Sequence, residues 1–213
     1  MKDFKTIFAS EDIKDSEKPL VILMHGYGSD AQDLAGLFPA LPNDLDYVSI
    51  QAPIAMPFGG HTWFNVSPNA KGTLEFRGAK DEVTQVVGEL AEFIESLRKN
   101  HSSVSLLGFS MGMIMATSLM RTYPERYASV VGLSGFVIDR DFPKDKELEN
   151  KKFPFFWGRD TEDEVIEKEY IDFTVPWLNE HTNLMKVMYQ NIGHSISPAE
   201  IKHVGEFLQH YSK

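Results

Sequence analysis

The 213-residue sequence contains no cysteine, which excludes disulfide bonds, thiolate nucleophiles and cysteine-based metal sites. It also lacks any run of about 18 consecutive apolar residues, the length that a membrane-spanning helix requires. Residues 1–8 mix acidic and basic side chains and have no apolar core, so they do not resemble a secretory signal. We therefore expect a cytoplasmic protein with no integral membrane segment.

Positive charge is also scarce, because 21 Lys and Arg residues face 31 Asp and Glu residues and leave a net charge of −10. This excess of negative charge argues against nucleic acid or an anionic membrane surface as the main partner. No histidines or carboxylates have the spacing of a metal-binding motif such as His-Glu-x-x-His. The sequence therefore predicts neither a metal nor a cofactor.

The length and composition are those of a globular domain, since 42% of the residues are hydrophobic and 24% are charged. We expect one domain over residues 1–213. Strand and helix patterns alternate from residue 20 onward, which predicts an α/β fold with a mostly parallel sheet and helices on both faces. No helical block interrupts this alternation beyond an irregular, aromatic section at 54–80, so no large cap domain is expected.

The chain is organised around residues 104–116, whose pattern predicts a buried strand, a sharp turn and a buried helix. The turn is Gly-x-Ser-x-Gly, with Ser110 between Gly108 and Gly112. In such a turn the serine backbone is strained, and side chains two positions away would collide with neighbouring backbone. The pattern places the Ser110 hydroxyl at the tip of the sheet. It also places the Met111 backbone N–H at a helix N-terminus, which favours negative charge.

Polar residues that complement a serine follow two later strands. His194 follows a predicted strand at 184–189, and three acidic residues follow a predicted strand at 153–157: Asp160, Asp163 and Glu164. Because parallel strands end at one edge of a sheet, these residues should lie near Ser110. A serine hydroxyl is a weak nucleophile until an imidazole takes its proton, and a carboxylate orients and stabilises that imidazole. The order serine, acid, histidine is the one expected of an α/β-hydrolase.

The sequence resembles the carboxylesterase/phospholipase family of α/β-hydrolases, which includes small bacterial esterases and acyl-protein thioesterases. The resemblance extends over residues 21–198, in the order that the family shows. The matching segments are Leu23-Met24-His25-Gly26-Tyr27-Gly28-Ser29-Asp30 with Asp33-Leu34, Gly108-Phe109-Ser110-Met111-Gly112, Leu133-Ser134-Gly135, Trp157-Gly158 with Asp163-Glu164-Val165-Ile166, and Gly193-His194-Ser195-Ile196-Ser197-Pro198.

The resemblance implies Ser110 as the nucleophile and His194 as the base, with the backbone N–H groups of Tyr27 and Met111 as the oxyanion hole. The family usually shows Gly, a short gap and then Asp-x-Val-[Val/Ile], which favours Asp163 as the acid. However, five positions separate Asp163 from the preceding glycine, rather than about three. Asp160 is closer to that glycine but lacks the Val-Ile tail, so Asp160 and Glu164 remain alternatives.

Other residues near these motifs receive more local roles. Trp63 and Met56, in the irregular section, are predicted to bind substrate at the rim of a pocket. The Met111 side chain should form an apolar wall of that pocket. We expect His25 to hold the oxyanion loop in shape, and Ser134 to be a packed turn residue rather than a second nucleophile.

The sequence thus predicts a cofactor-independent serine carboxylesterase that hydrolyses short- to medium-chain carboxylic esters through an acyl-enzyme. Its partner would be a small-molecule ester, and its oligomeric state is left open. An acyl-thioesterase or lysophospholipase is the alternative within enzymes, and it would need a long apolar groove. A non-catalytic binding protein on a hydrolase scaffold is the alternative of another class.

Overall fold

A computed structural model describes residues 4–68, 74–76 and 80–213, and its centre is a seven-stranded sheet. The strands are β1 (Thr6–Phe8), β2 (Leu20–Met24), β3 (Asp46–Ile50), β4 (Val104–Phe109), β5 (Val130–Leu133), β6 (Phe153–Asp160) and β7 (Thr182–Tyr189). Their order in the sheet is β1-β3-β2-β4-β5-β6-β7. Only β1 runs antiparallel to its neighbour, so the predicted mostly parallel sheet is confirmed.

Helices cover both faces of this sheet, as the alternation of patterns predicts. They are α1 (Ala31–Ala35), α2 (Lys80–Arg98), α3 (Met111–Thr122), α4 (Asp145–Lys151), α5 (Lys168–His181) and α6 (Pro198–Tyr211). Short 3₁₀ turns occur at Glu11–Asp15, Phe38–Ala40 and Pro124–Arg126. The larger apolar core lies under α2, α3 and α5, and the smaller one lies under α1 and α6.

Strand β2 shows why a continuous apolar run forms the middle of such a sheet. All five of its residues are fully buried, and Ile22 contributes to the larger core while Leu23 contributes to the smaller one. A parallel strand covered on both faces needs apolar side chains at every position, because successive side chains point in opposite directions. The run from Leu20 to Met24 satisfies this requirement.

The irregular section after β3 contains two short hairpins. Ile54–Ala55 pairs with His61–Thr62, and Ser67–Pro68 pairs with Leu74–Glu75. Residues 69–73 and 77–79 of this section lie outside the described residues. Within the part of the chain that is described, no large cap domain is inserted over the sheet. The helices of that same part are too short or too polar to cross a membrane.

Strand β6 is longer than the pattern at 153–157 predicts, because its pairing with β7 continues to Asp160, which lies opposite Tyr189. Asp160 is therefore the last residue of a strand rather than part of the loop that follows. This register sets the point at which the loop that carries Asp163 and Glu164 begins.

Glu200 is an acidic side chain buried between α6 and β6. It is fully buried, and neither of its carboxylate oxygens accepts a well-formed hydrogen bond within the described residues. A Cβ atom at position 158 would lie 2.1 Å from Glu200 Oε1, so only glycine leaves room for this carboxyl group. Burial raises the pKa of Glu200 from 4.5 to about 7, and the Ser197 backbone N–H offsets only part of that shift.

We expect Glu200 to make folding stability depend on pH. Because the folded state holds the proton more tightly, the stability that this group contributes is complete below pH 4.5 and is lost as the pH rises through about 7. In Glu200→Gln this loss, about 3 kcal/mol, should be absent. Denaturant unfolding of parent and variant between pH 4.5 and pH 8 measures the difference.

Glu206→Gln is a matched control, since Glu206 lies on the same helix but is exposed. It should keep the parental pH dependence. The same pH dependence in Glu200→Gln and in the parent would show that Glu200 does not titrate as described.

Candidate active site

Ser110 lies in a sharp turn between β4 and α3. Its backbone has φ 52° and ψ −117°, a strained conformation for a residue with a side chain, and its N–H donates to the Leu133 carbonyl at 2.8 Å. A Cβ atom at Gly112 would lie 1.9 Å from the Met24 carbonyl oxygen, and one at Gly108 would lie 2.2 Å from the Gly112 backbone. The turn therefore requires both glycines, for the steric reason predicted from the motif.

His194 lies between Ser110 and Asp163 and contacts both. Its Nε2 is 2.9 Å from Ser110 Oγ, and its Nδ1 is 2.9 Å from Asp163 Oδ2. The Asp163 side chain is fully buried, and its other oxygen accepts the Val165 backbone N–H at 2.9 Å. A carboxylate only accepts, so Nδ1 carries the proton and Nε2 is free to accept the serine hydroxyl proton. The three side chains form a continuous hydrogen-bonded chain.

The charge of Asp163 is maintained by its surroundings. Burial acts to raise its pKa, but the hydrogen bond and charge of His194, the Val165 N–H and the charge of Arg159 together hold the pKa below its usual value. Asp163 is therefore ionised at neutral pH. An ionised carboxylate at this position both orients the imidazole and stabilises an imidazolium.

The other two acidic residues left open by the sequence do not contact the His194 ring. Asp160 is 1% exposed, and its carboxylate accepts backbone N–H groups from Glu162, Ile192 and Gly193. Glu164 is exposed, on the turn between Asp163 and α5. Of the three, the geometry selects Asp163 as the partner of His194.

The backbone N–H groups of Tyr27 and Met111 stay the predicted oxyanion hole: Met111 directly follows Ser110, and Tyr27 lines the same cavity as Ser110. Met111 is the first residue of α3, and Tyr27 follows the carboxyl end of β2. Within the described residues, neither N–H donates to a backbone carbonyl. Both are therefore available to a negative oxygen near Ser110 Oγ.

His25 holds the loop that carries Tyr27. Burial lowers its pKa, although the Gly26 carbonyl acts in the other direction, so the ring is neutral at neutral pH. Its Nδ1–H donates to the Gly26 carbonyl at 2.7 Å, and its Nε2 accepts the Ala52 N–H at 3.0 Å. Ser134 has a comparable local role, because its hydroxyl donates to the Ser195 carbonyl at 3.2 Å.

Trp63 and Met56, which the sequence places at a pocket rim, are not brought to the cavity beside Ser110. Trp63 is fully buried, and its indole N–H donates to the His25 carbonyl at 2.9 Å. Met56 lies in the turn of the 54–62 hairpin and does not line the cavity. The Met111 side chain is also in the core, where its sulfur lies 3.4 Å from the Thr62 hydroxyl oxygen, and it does not line the cavity.

A cavity of about 330 Å³ opens beside Ser110 and His194. Its other lining residues are mostly apolar: Tyr27, Leu74, Phe76, Phe136, Val165, Ile166, Glu167 and Tyr170. Three of them form an aromatic cluster. The Phe136 and Tyr170 rings stack at 4.4 Å, and the Phe76 ring meets them edge-on at 5.2 Å and 5.8 Å.

Sequence reasoning missed these apolar lining residues as a set. Two signals were present, because Phe136 directly follows the Leu-Ser-Gly segment at the end of β5, and Val165 lies two positions after Asp163 and is followed by Ile166. Both segments lie at the carboxyl ends of strands, where sites collect.

Fold and site together define a serine hydrolase of the α/β-hydrolase class. Residues 6–212 match the phospholipase/carboxylesterase family, and the chain belongs to this family.

Individual relatives agree with this assignment. An acyl-protein thioesterase 1 of Emericella nidulans is 26% identical over 225 residues, which cover 97% of this chain and 90% of that protein. An acyl-protein thioesterase 1 of Aspergillus fumigatus is 32% identical over 113 residues, about half of each chain. The Bacillus cereus carboxylesterase structure superposes with a TM-score of 0.77 at 21% identity, covering 97% of this chain and 94% of that one, which supports the fold.

We expect Asp163→Asn to lower kcat by about 10⁴-fold, because an amide in place of the carboxylate favours the wrong imidazole tautomer. The substrate cavity does not include Asp163, so KM should change little. Steady-state hydrolysis of an activated ester measures both constants.

Glu164→Gln is the matched control, because Glu164 is an exposed neighbour of Asp163 and both ring nitrogens of His194 are already bonded to Asp163 and Ser110. It should retain parental kcat. A large loss in Glu164→Gln combined with a small one in Asp163→Asn would refute the assignment of the acid.

Proposed function

We propose that the protein is a serine carboxylesterase that hydrolyses short- to medium-chain carboxylic esters through an acyl-enzyme on Ser110. The observation that carries this proposal is the hydrogen-bonded chain from Ser110 Oγ through His194 to Asp163, which opens on an apolar cavity. Membership of the phospholipase/carboxylesterase family supports ester hydrolysis as the class of reaction.

In the acylation step, Ser110 Oγ attacks the ester carbonyl carbon while His194 Nε2 takes its proton. The Asp163 carboxylate stabilises the imidazolium through the Nδ1–H bond. The N–H groups of Tyr27 and Met111 donate to the oxygen that becomes negative. When this intermediate collapses, His194 gives the proton to the leaving alcohol, and the acyl group stays on Ser110.

Deacylation repeats these roles with water. His194 takes a proton from a water molecule whose oxygen attacks the acyl carbon, and the same two N–H groups stabilise the second oxyanion. His194 then returns the proton to Ser110 Oγ as the carboxylic acid leaves. The cycle needs no group beyond the side chains and backbone named.

The size of the cavity supports the preference for shorter acyl groups. At about 330 Å³ it is at the lower end of the ~300–1,000 Å³ typical of small-molecule sites. The cluster of Phe76, Phe136 and Tyr170 forms one of its walls, and these rings are packed against one another. A long acyl chain would have to displace them.

An acyl-thioesterase is the second candidate, since the curated relatives in Emericella nidulans and Aspergillus fumigatus are named acyl-protein thioesterases. The same serine, histidine and oxyanion donors suit a thioester, because attack on its carbonyl generates the same kind of intermediate. Acyl length and leaving group separate the two candidates. The cytoplasmic location stays a prediction.

A panel of aryl esters and matched thioesters, from short to long acyl groups, tests this proposal. We expect the highest kcat/KM for short to medium esters, with a decline for long ones that extend beyond the cavity bounded by the aromatic rings. Ser110→Ala should abolish turnover throughout while leaving thermal unfolding close to that of the parent. Activity confined to long acyl groups would contradict the proposed chain length, and activity confined to thioesters would favour the second candidate.

A further inference from the structure

Asp160 connects the two loops that carry Asp163 and His194. It ends β6, and its Oδ2 accepts the backbone N–H groups of Ile192 at 2.6 Å and Gly193 at 2.7 Å. Its Oδ1 accepts the Glu162 N–H at 2.9 Å and the Thr161 hydroxyl at 3.4 Å. One buried carboxylate therefore binds residues 161–162 of the acid loop and residues 192–193 of the histidine loop.

We propose that Asp160 is a positioning residue, which holds His194 at hydrogen-bond distance from Asp163 by fixing the two loops to each other. This role rests on the proposed function, because it concerns the same hydrogen-bonded chain. Asp160 itself contacts neither Ser110 nor the cavity. It acts through the Gly193 N–H, one residue before the imidazole.

The histidine loop needs such an anchor because its backbone is irregular. Asn191 and Gly193 have φ values of 61° and 59°, so the chain turns through two left-handed positions directly before His194. The N–H groups of Ile192 and Gly193 point towards the buried Asp160, where an unpaired N–H would be costly. On the other side of His194, the Ser134 hydroxyl donates to the Ser195 carbonyl, so the loop is fixed both before and after the imidazole.

The register of the sheet places the carboxylate where both loops begin. Asp160 lies opposite Tyr189, and the Thr161 N–H donates to the Tyr189 carbonyl at 3.2 Å. The acid loop and the histidine loop therefore leave the sheet side by side. The extension of β6 to Asp160 also accounts for the long spacing from Gly158 to Asp163, since two further residues pair with β7 before the acid loop starts.

Asp160 is charged in this position. The N–H groups of Glu162, Gly193 and Ile192 and the Thr161 hydroxyl hold its pKa below the usual value, against the effect of burial. Asp160→Asn removes this charge and replaces one acceptor oxygen with an NH₂ group, which would face N–H donors. The substitution keeps the size of the side chain, so it tests the anchoring bonds directly.

We expect Asp160→Asn to lower kcat by about 10²-fold with little change in KM, because a small displacement of a catalytic group has effects of this size. The pH dependence of kcat/KM gives a second readout. A His194 ring held less closely to Asp163 forms a less stable imidazolium, so the acidic limb should move to lower pH. A residue that merely stabilised the fold would lower the unfolding temperature without moving this limb.

A double-mutant cycle with Asp163→Asn is the sharpest form of the test. If Asp160 acts by holding His194 against Asp163, the double variant should lose no more kcat than Asp163→Asn alone. Losses that multiply would overturn the proposal, as would a parental kcat and a parental pH profile in Asp160→Asn. Glu162→Gln removes an exposed negative charge from the same loop and should behave as the parent.

Asp160→Glu keeps the experiment decisive if Asp160→Asn does not fold. It retains the charge and both acceptors but shifts them by one methylene group, so it should give a smaller loss of kcat in the same direction. A parental kcat and pH profile in this variant would overturn the proposal. A parent without activity on any ester or thioester would overturn the proposed function instead, which separates the two failures.

Discussion

The site depends on a close contact of three backbone segments beneath Ser110. Gly112 at the start of α3 approaches the Met24 carbonyl at the end of β2, and Gly108 at the end of β4 approaches Gly112, so closely that no Cβ atom fits at either glycine. The serine between them has a strained backbone, whose cost is about 1–3 kcal/mol. The burial of α3 from Met111 to Arg121 and the paired strands around it offset this cost. This close backbone contact therefore places both the serine hydroxyl and the first N–H of α3 at the same edge of the sheet.

The second constraint is the parallel pairing of β6 with β7. Because the two strands end opposite each other, at Asp160 and Tyr189, the loops that follow them are neighbours. One loop carries Asp163 and the other carries His194, and 31 residues separate these two in sequence while 2.9 Å separates their side chains. Strand order and register thus bring together two side chains that lie far apart in the sequence. The sheet places the two loops side by side, and we propose that the hydrogen bonds accepted by Asp160 then fix the position of the histidine loop.

The sheet, the Gly-x-Ser-x-Gly turn and the serine–acid–histidine order could be predicted from sequence because each depends on local pattern and on the geometry of parallel sheets. The placement of the Trp63 and Met111 side chains could not be predicted, because an apolar side chain near a site is equally suited to the core. Trp63 can be buried in the core because its indole N–H donates a hydrogen bond to the His25 carbonyl there. The end of β6 was missed for a related reason, since Asp160 has a low strand propensity and is in the sheet through its pairing with β7.

The proposed mechanism requires Ser110 to carry the acyl group during turnover. The most direct measurement is to mix the protein with a p-nitrophenyl ester, quench with acid within the first turnover, digest the protein and map the adduct by mass spectrometry. We expect one acyl group, on the peptide that contains Ser110, and none in Ser110→Ala. Hydrolysis that proceeds with no adduct, or with an adduct on another residue such as Ser134, would contradict it.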